Sequence, residues 1–205
     1  MDVKTAIETG NAAALRGLLA EVPERANELI RWGSDCHIST HPLHYVSDML
    51  FNGVLKRGKE LSLVGALIQA GADIDFQNNG KDTPLIGAAS LGAEEVGLML
   101  LDAGAKPNIR GGFGETALHW AALLGEDQLA GRLIESADLS LQDRQYKSTP
   151  LGWAIHGWCN APAGSRGRQR EVVVLLVGSG AKVDPKLLAS EKVLANPAIL
   201  AALKR

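Results

Sequence analysis

The feature that most constrains the fold of this chain is an internal repeat with a period of 33 residues. The stretch from Asp82, "DTPLIGAASLGAEEVGLMLLDAGAKPN", recurs from Glu115 as "ETALHWAALLGEDQLAGRLIESADLSL" and from Ser148 as "STPLGWAIHGWCN". The last copy resumes after an interruption as "EVVVLLVGSGAKVD". A fixed period of this length predicts stacked copies of one supersecondary unit, because a single copy cannot bury its own apolar face.

Within one copy the residues predict two short helices joined by a tight turn. Thr83 is suited to the N-cap position, and Pro84 to the first helical position, where no amide hydrogen is missed. Gly92 ends this helix, because glycine takes the left-handed conformation without steric cost. Gly104 ends the second helix in the same way. The apolar positions at helical spacing in the two helices are Leu85, Ala88 and Ala89, then Val96, Met99, Leu100 and Leu101.

The motif resembles that of the ankyrin repeat family. The matching stretches are "TPLIGAA" at 83–89, "TALHWAA" at 116–122, "TPLGWAI" at 149–155 and "GAD" at 71–73. The resemblance covers nearly the whole chain. It implies an all-α ankyrin-repeat solenoid of about five helix-turn-helix repeats with a C-terminal capping helix pair.

From the resemblance we expect a single ankyrin-repeat domain over residues 1–205, divided into repeats. We expect an N-terminal capping repeat at 1–35, repeat 2 with an insertion at 36–77, repeat 3 at 78–110, repeat 4 at 111–143, repeat 5 with an insertion at 144–184 and a C-terminal cap at 185–205. In the cap we expect one helix to about Ala195 and a shorter one after Asn196-Pro197.

Composition narrows the functional classes. The formal charge of −2 leaves no general basic excess for tracking phosphates, so nucleic acid is not an expected partner. The first residues contain no apolar signal region, and the longest apolar runs are much shorter than a membrane span. Two cysteines 123 positions apart are typical of reduced thiols. We therefore expect a cytoplasmic monomer without a cofactor and without a membrane association.

A cluster of soft ligands at residues 35–45, "DCHISTHPLHY", raises the alternative of a metal-binding or redox protein. Cys36, His37, His41 and His44 are of the types that bind zinc. The resemblance assigns His44 a structural role, because it occupies the same repeat position as His119, which in this family hydrogen-bonds the neighbouring connection. His41 then takes the place of the threonine. A metal site would need Cys36, His37 and His41 to converge.

A second combination, His156 and Cys159, is spaced to share one helical face, as a nucleophile and its base would. No third orienting group is evident in the sequence, and the resemblance implies a fold that seldom carries a catalytic cleft. The glycines at 111–114 follow no predicted strand, which disfavours a phosphate-binding loop. We therefore expect the protein not to be an enzyme.

The resemblance also implies where a partner would bind: at the link tips and at the positions after the Ala-Ala of each first helix. Phe113, Leu123, Leu124, Tyr146 and Trp158 would form an apolar patch there, and apolar patches with aromatic anchors are typical of interfaces. An alternative places Leu123, Leu124 and Trp158 between helices as core, and Trp120 and Trp153 are expected to pack. The full set of predicted partner-binding residues is Phe113, Glu115, Leu123, Leu124, Tyr146, Ser148, His156, Trp158, Asp82, Leu91 and Met49.

Two insertions depart from the period. Repeat 2 is extended around "MLFNGVLKRGKE" and repeat 5 around "NAPAGSRGRQR", the latter with Arg166, Arg168 and Arg170. Insertions in repeat proteins often serve binding, although the first could instead lengthen both helices and the arginines could be merely solvated.

The sequence thus predicts a non-catalytic module that binds a protein partner through its concave face and link tips. Accessory, scaffold and immunity-type proteins are candidates of this class. The alternatives are a metal-binding or redox protein that uses the 36–44 cluster, and a purely structural domain of a larger assembly.

Overall fold

A computed structural model describes residues 1–33, 37–160 and 168–204. The chain forms two compact units, Met1–Lys106 and Pro107–Arg205, and each is described by itself below. Helices predominate, as predicted. The repeat boundaries proposed from the sequence stay predictions.

The first unit contains three pairs of antiparallel helices. They are α1 (Val3–Glu8) with α2 (Ala12–Glu21), α3 (Pro42–Phe51) with α4 (Glu60–Gln69), and α5 (Pro84–Ser90) with α6 (Glu94–Asp102). A 3-10 turn at Pro23–Ala26 follows the first pair. The apolar core of this unit comes from the facing sides of the pairs, where Ile7, Leu15, Leu43, Leu63 and Leu85 are fully buried.

The link between the first two pairs is a small β-hairpin, which the all-α expectation did not include. Strand β1 (Ile30–Trp32) pairs antiparallel with β2 (Ile38–Thr40), with Ile30 opposite Thr40 and Trp32 opposite Ile38. The Trp32 indole donates to Thr40 Oγ1 across the pair at 2.9 Å. β-Branched residues lie in both strands and Trp32 lies in β1, which favours pairing.

The second unit contains two helix pairs and a C-terminal segment of short helices. The pairs are α7 (Ala117–Leu124) with α8 (Asp127–Ile134), and α9 (Pro150–Asn160) with α10 (Gln169–Gly178). The closing segment comprises α11 (Pro185–Leu188), α12 (Glu191–Leu194) and α13 (Pro197–Leu203). Its first part is split, contrary to the single helix expected to about Ala195, because the chain leaves the helix at Ala189 and Ser190 adopts an extended conformation.

The caps predicted from the repeat are confirmed in α5. Thr83 Oγ1 accepts a hydrogen bond from the Ile86 amide at 3.2 Å, and Pro84 is the first helical residue. Gly92 follows the helix with φ of +72°, the left-handed conformation expected of a glycine terminator. The predicted stripe of Leu85, Ala88 and Ala89 is buried.

The insertion in repeat 2 is divided between a longer helix and a turn. Helix α3 runs to Phe51, longer than its counterpart α5, and a turn over residues 52–59 then leads into α4. In repeat 5, α9 extends to Asn160, while residues 161–167 of that insertion, with Arg166, lie outside the described residues. In the described part of the chain, no helix combines the length and apolar character needed to cross a bilayer.

Candidate functional site

The link tips are tight turns closed by backbone hydrogen bonds. The amide of Asn78 donates to Asp82 O at 3.0 Å, and the amide of Gly111 donates to Glu115 O at 2.8 Å. In the third tip Asp143 N donates to Ser148 O at 3.0 Å, so this turn holds one more residue than the other two. The longer turn projects Tyr146, whose side chain is 69% exposed.

Buried histidines brace two of these tips. His44 Nε2 donates to Asp82 O at 3.0 Å, and His119 Nε2 donates to Ser148 O at 3.2 Å. Thr116 N donates to His119 Nδ1 at 3.1 Å, which places the proton of the neutral ring on Nε2. Burial lowers the pKa of His44 and of His119 to about 4, so both rings are neutral at pH 7. The structural role predicted for His44 is confirmed.

His41 is likewise engaged within the fold. It occupies the N-cap of α3, where its Nδ1 accepts from Leu43 N at 3.3 Å and its Nε2 donates to Asn27 Oδ1 at 3.1 Å. Its ring stacks on Phe76 with centroids 4.6 Å apart. Burial lowers its pKa to about 4. Among the described residues no group of three His, Cys, Asp or Glu side chains could hold a metal ion, and Cys36 lies outside them.

The second unit contains an open groove of about 570 Å³. Of the predicted binding residues, Leu123, Tyr146, Ser148 and His156 line it. The other lining residues come from α7, α9 and the C-terminal segment: Trp120, Gly152, Trp153, Ile155, Cys159, Asn160, Leu187, Ser190, Lys192 and Val193.

The wall of the groove is aromatic. Trp120 and Trp153 pack edge to face with ring centroids 5.1 Å apart, and both remain half-buried. The Trp153 indole donates to Asp143 Oδ2 at 3.0 Å, while Tyr146 N donates to Asp143 Oδ1 at 2.5 Å. Asp143 therefore fixes the tip that carries Tyr146 against the wall that carries Trp153.

Part of the groove lining is polar. Lys192 Nζ of α12 donates to Asn160 Oδ1 at the end of α9, at 2.6 Å. Two further lining residues are His156, which is exposed, and Cys159, which is half-buried. The groove thus combines an apolar, aromatic wall with hydrogen-bonding groups, which suits a side chain or short segment of another protein.

Three of the predicted binding residues are buried, which corrects the expectation that their side chains line a surface. Met49 is 3%, Glu115 2% and Trp158 7% exposed. Met49 lies one turn after buried Tyr45 on the inner side of α3, and Trp158 lies one turn after buried Ala154 in α9. Glu115 is turned inward at the end of its tip. For Trp158 the alternative of a core position is the correct one.

The remaining predicted residues are accessible but do not line the groove. Phe113 and Leu124 are 63% and 39% exposed in the second unit. Asp82 and Leu91 are half-buried in the first unit. Conversely, Trp120 and Trp153 were expected only to pack, although their shared repeat position next to the tips was a signal that they could be reached. The contribution of Lys192 and Val193 had no sequence signal, because the C-terminal segment does not follow the repeat.

Comparison with known proteins agrees with this architecture. A family model described as ankyrin repeats (3 copies) matches residues 50–143. Among the curated proteins, none matches the chain. The matched residues contain the paired helices α5 with α6 and α7 with α8, together with the glycine terminator Gly92 and the link tips at 78–82 and 111–115. The chain therefore contains ankyrin repeats within residues 50–143.

Proposed function

We propose that this protein is a non-catalytic interaction module that binds a protein partner through the groove of its second unit. The observation that carries this proposal is the aromatic wall formed by Trp120 and Trp153, which remains accessible beside the exposed Tyr146. Ankyrin repeats indicate protein interaction in general. We propose the groove as the place where this interaction occurs.

The chemistry of the groove supports a protein partner. Tryptophan and tyrosine are the residues most enriched at interface hot spots, because they bury a large area and retain one polar group for orientation. Phe113 is a further exposed aromatic residue, on the neighbouring tip of the same unit. Such a surface suits an accessory, scaffold or immunity-type protein. We propose that this protein acts in the cytoplasm as a monomer.

The metal-binding or redox alternative has less support. His41 and His44 both have ring nitrogens committed to hydrogen bonds that cap a helix or brace a tip. Both ring nitrogens of His41 take part in hydrogen bonds, so ligation by His41 would break one of them. In the ranges that the structure describes, no group of three His, Cys, Asp or Glu side chains could hold a metal ion, so we do not propose this alternative.

The proposal can be tested by site-specific photocrosslinking. A benzophenone amino acid at position 146 is expected to crosslink one protein in lysate of the native host, and Trp120→Ala on the same protein is expected to abolish the crosslink. The matched control places the crosslinker at Leu175, which is similarly apolar and 39% exposed on α10 but does not line the groove.

The crosslinked protein, once purified, permits a quantitative check. Trp120→Ala with Tyr146→Ala should weaken its affinity at least tenfold, or about 1.4 kcal/mol, whereas Leu175→Ala should leave it unchanged. Circular dichroism of each variant verifies folding. Equal affinities for all three proteins would exclude the groove as the binding site.

A further inference from the structure

The last residue of α3 and the turn that follows it, residues 51–59, carry exposed apolar and basic side chains together. Phe51 is 65% and Val54 50% exposed. The exposed cations on the same turn are Lys56, Arg57 and Lys59. We call this segment, residues 51–59, the basic loop.

The basic loop has a defined conformation, so the exposure of its side chains is a property of the fold. The amides of Val54 and Leu55 both donate to Met49 O at 3.0 Å. Leu55 is 2% exposed and anchors the turn in the core. Gly53 and Gly58 have φ of +71° and +86°, which permit the two reversals.

The loop also packs against the first helix pair. A Cβ placed on Gly10 would lie 3.0 Å from Lys59 Cβ, so the chain after α1 and the end of the loop are in close contact. Phe51 and Val54 do not share in this packing, since both remain at least half exposed.

The charge of the basic loop is opposite to that of its unit. Residues 51–59 contain three cations and no acid, whereas Met1–Lys106 as a whole has nine Lys or Arg against fourteen Asp or Glu, a net charge of −5. Within the described part of the chain, no carboxylate forms a salt bridge with the three cations. The loop is therefore an unneutralised positive site on an acidic unit.

We propose that the basic loop is a second docking surface, which takes an acidic segment of a protein partner that also carries an aliphatic or aromatic side chain. Carboxylates of the segment pair with Lys56 and Arg57, and its apolar side chain covers Phe51 and Val54. This proposal is independent of the groove, which lies in the other unit.

An acidic segment fits these observations better than an anionic bilayer. Three cations contribute only about 1 kcal/mol each at a charged membrane surface. The remaining acidic residues of the unit would be repelled by an extended anionic surface at distances within the Debye length of about 10 Å. A short segment avoids this repulsion because it faces the loop alone.

The experiment uses the full-length chain and a fluorescein-labelled nonapeptide that alternates glutamate with leucine and phenylalanine as the probe. Fluorescence anisotropy should show binding to the wild type that weakens as NaCl is raised from 50 to 300 mM. Lys56→Glu with Arg57→Glu should weaken binding at least tenfold, and Phe51→Ser at least threefold. The matched control, Lys182→Glu with Lys186→Glu, changes the net charge equally at exposed sites of the other unit and should bind within twofold of the wild type.

Several results would overturn the proposal. They are no binding by the wild type at millimolar protein, equal losses in the loop and control variants, and cosedimentation with phosphatidylserine vesicles that needs Lys56 and Arg57 while the peptide does not bind. Loss of the peptide in the Trp120→Ala, Tyr146→Ala variant would place it in the groove instead. An unchanged urea midpoint for each variant verifies that the fold is retained.

Discussion

At the scale of single residues, one repeat position at the link tips requires a left-handed backbone. Gly114 has φ of +80°, and Lys81 and Lys147 occupy the equivalent positions, 33 residues away on either side, with φ of +66° and +53°. A Cβ on Gly114 would lie 2.6 Å from Arg144 Cγ and 3.1 Å from Arg144 N. A left-handed conformation costs a non-glycine residue about 1–2 kcal/mol, so both lysines are strained.

Replacing a strained lysine should therefore stabilise the protein. We expect Lys147→Gly to raise the free energy of unfolding by about 0.5–1 kcal/mol, because the greater freedom of glycine in the unfolded chain offsets part of the relieved strain. Gly114→Ala should lower it by about 2 kcal/mol. Urea unfolding followed by tryptophan fluorescence measures both. Lys186→Gly, at a position of negative φ in α11, is the control and should not stabilise; a gain there equal to that of Lys147→Gly would contradict the argument.

At the scale of elements, the approach of α7 and α9 depends on a glycine. A Cβ on Gly157 would lie 2.2 Å from Leu123 O and 3.3 Å from Leu123 Cα, both backbone atoms that cannot rotate away. The same two helices carry Trp120 and Trp153, so their separation also sets the width of the groove. The separation of α7 and α9 therefore determines both how closely the helices pack and how wide the groove is.

We expect Gly157→Ala to lower the free energy of unfolding by about 1–3 kcal/mol, because the added methyl group must push the helices apart. The control is Gly131→Ala in α8 of the same unit, where the nearest atom to the new Cβ, Leu175 Cδ1, lies at 4.0 Å. That change should stabilise by about 0.5–1 kcal/mol through helix propensity. Urea midpoints that shift equally in both variants would show that α7 and α9 have room between them.

At the scale of the whole molecule, both units depend on histidines that are buried in the neutral form. His41 and His44 belong to the first unit and His119 to the second, and burial lowers each pKa from 6.5 to about 4. Between these values the unfolded chain binds more protons than the folded one. The stability from these groups is present above pH 6.5 and is lost as the pH falls toward 4. Asp48, whose pKa burial raises to about 6, acts in the opposite sense in the first unit.

Acidification should therefore destabilise the protein at pH values well above those at which carboxylates usually titrate. For His119 alone we expect a loss of about 2 kcal/mol between pH 7 and pH 5. Urea unfolding at the two pH values, followed by tryptophan fluorescence, measures this loss. Three of the four tryptophans, Trp120, Trp153 and Trp158, lie in the unit that contains His119. His119→Gln should be less stable at pH 7 but show a smaller difference between the two pH values. A difference equal to that of the wild type would assign the effect to other groups.

Much of the repeating structure could be predicted because its causes are local. Thr83 caps the helix that begins at Pro84, and Gly92 ends it, by hydrogen bonds and backbone conformations that involve neighbours in sequence. The bracing role of His44 was predicted from its repeat position and its resemblance to the family. The burial of Met49 and Glu115 was not predicted, and that of Trp158 was predicted only as an alternative, because what packs against each side chain is decided by parts of the chain that the local pattern does not specify.

The sequence by itself determined the period, the caps, the helix pairs and the match of residues 50–143 to ankyrin repeats, since a repeated local pattern has the same local causes in each copy. The tertiary structure decided which residues line the groove, because Trp120, Tyr146 and Lys192 come from a helix, a link tip and a C-terminal segment that only the fold brings together. It also decided that the basic loop projects Phe51 into solvent while burying Leu55. Exposure depends on what packs against a residue, and those contacts are made by parts of the chain distant in sequence.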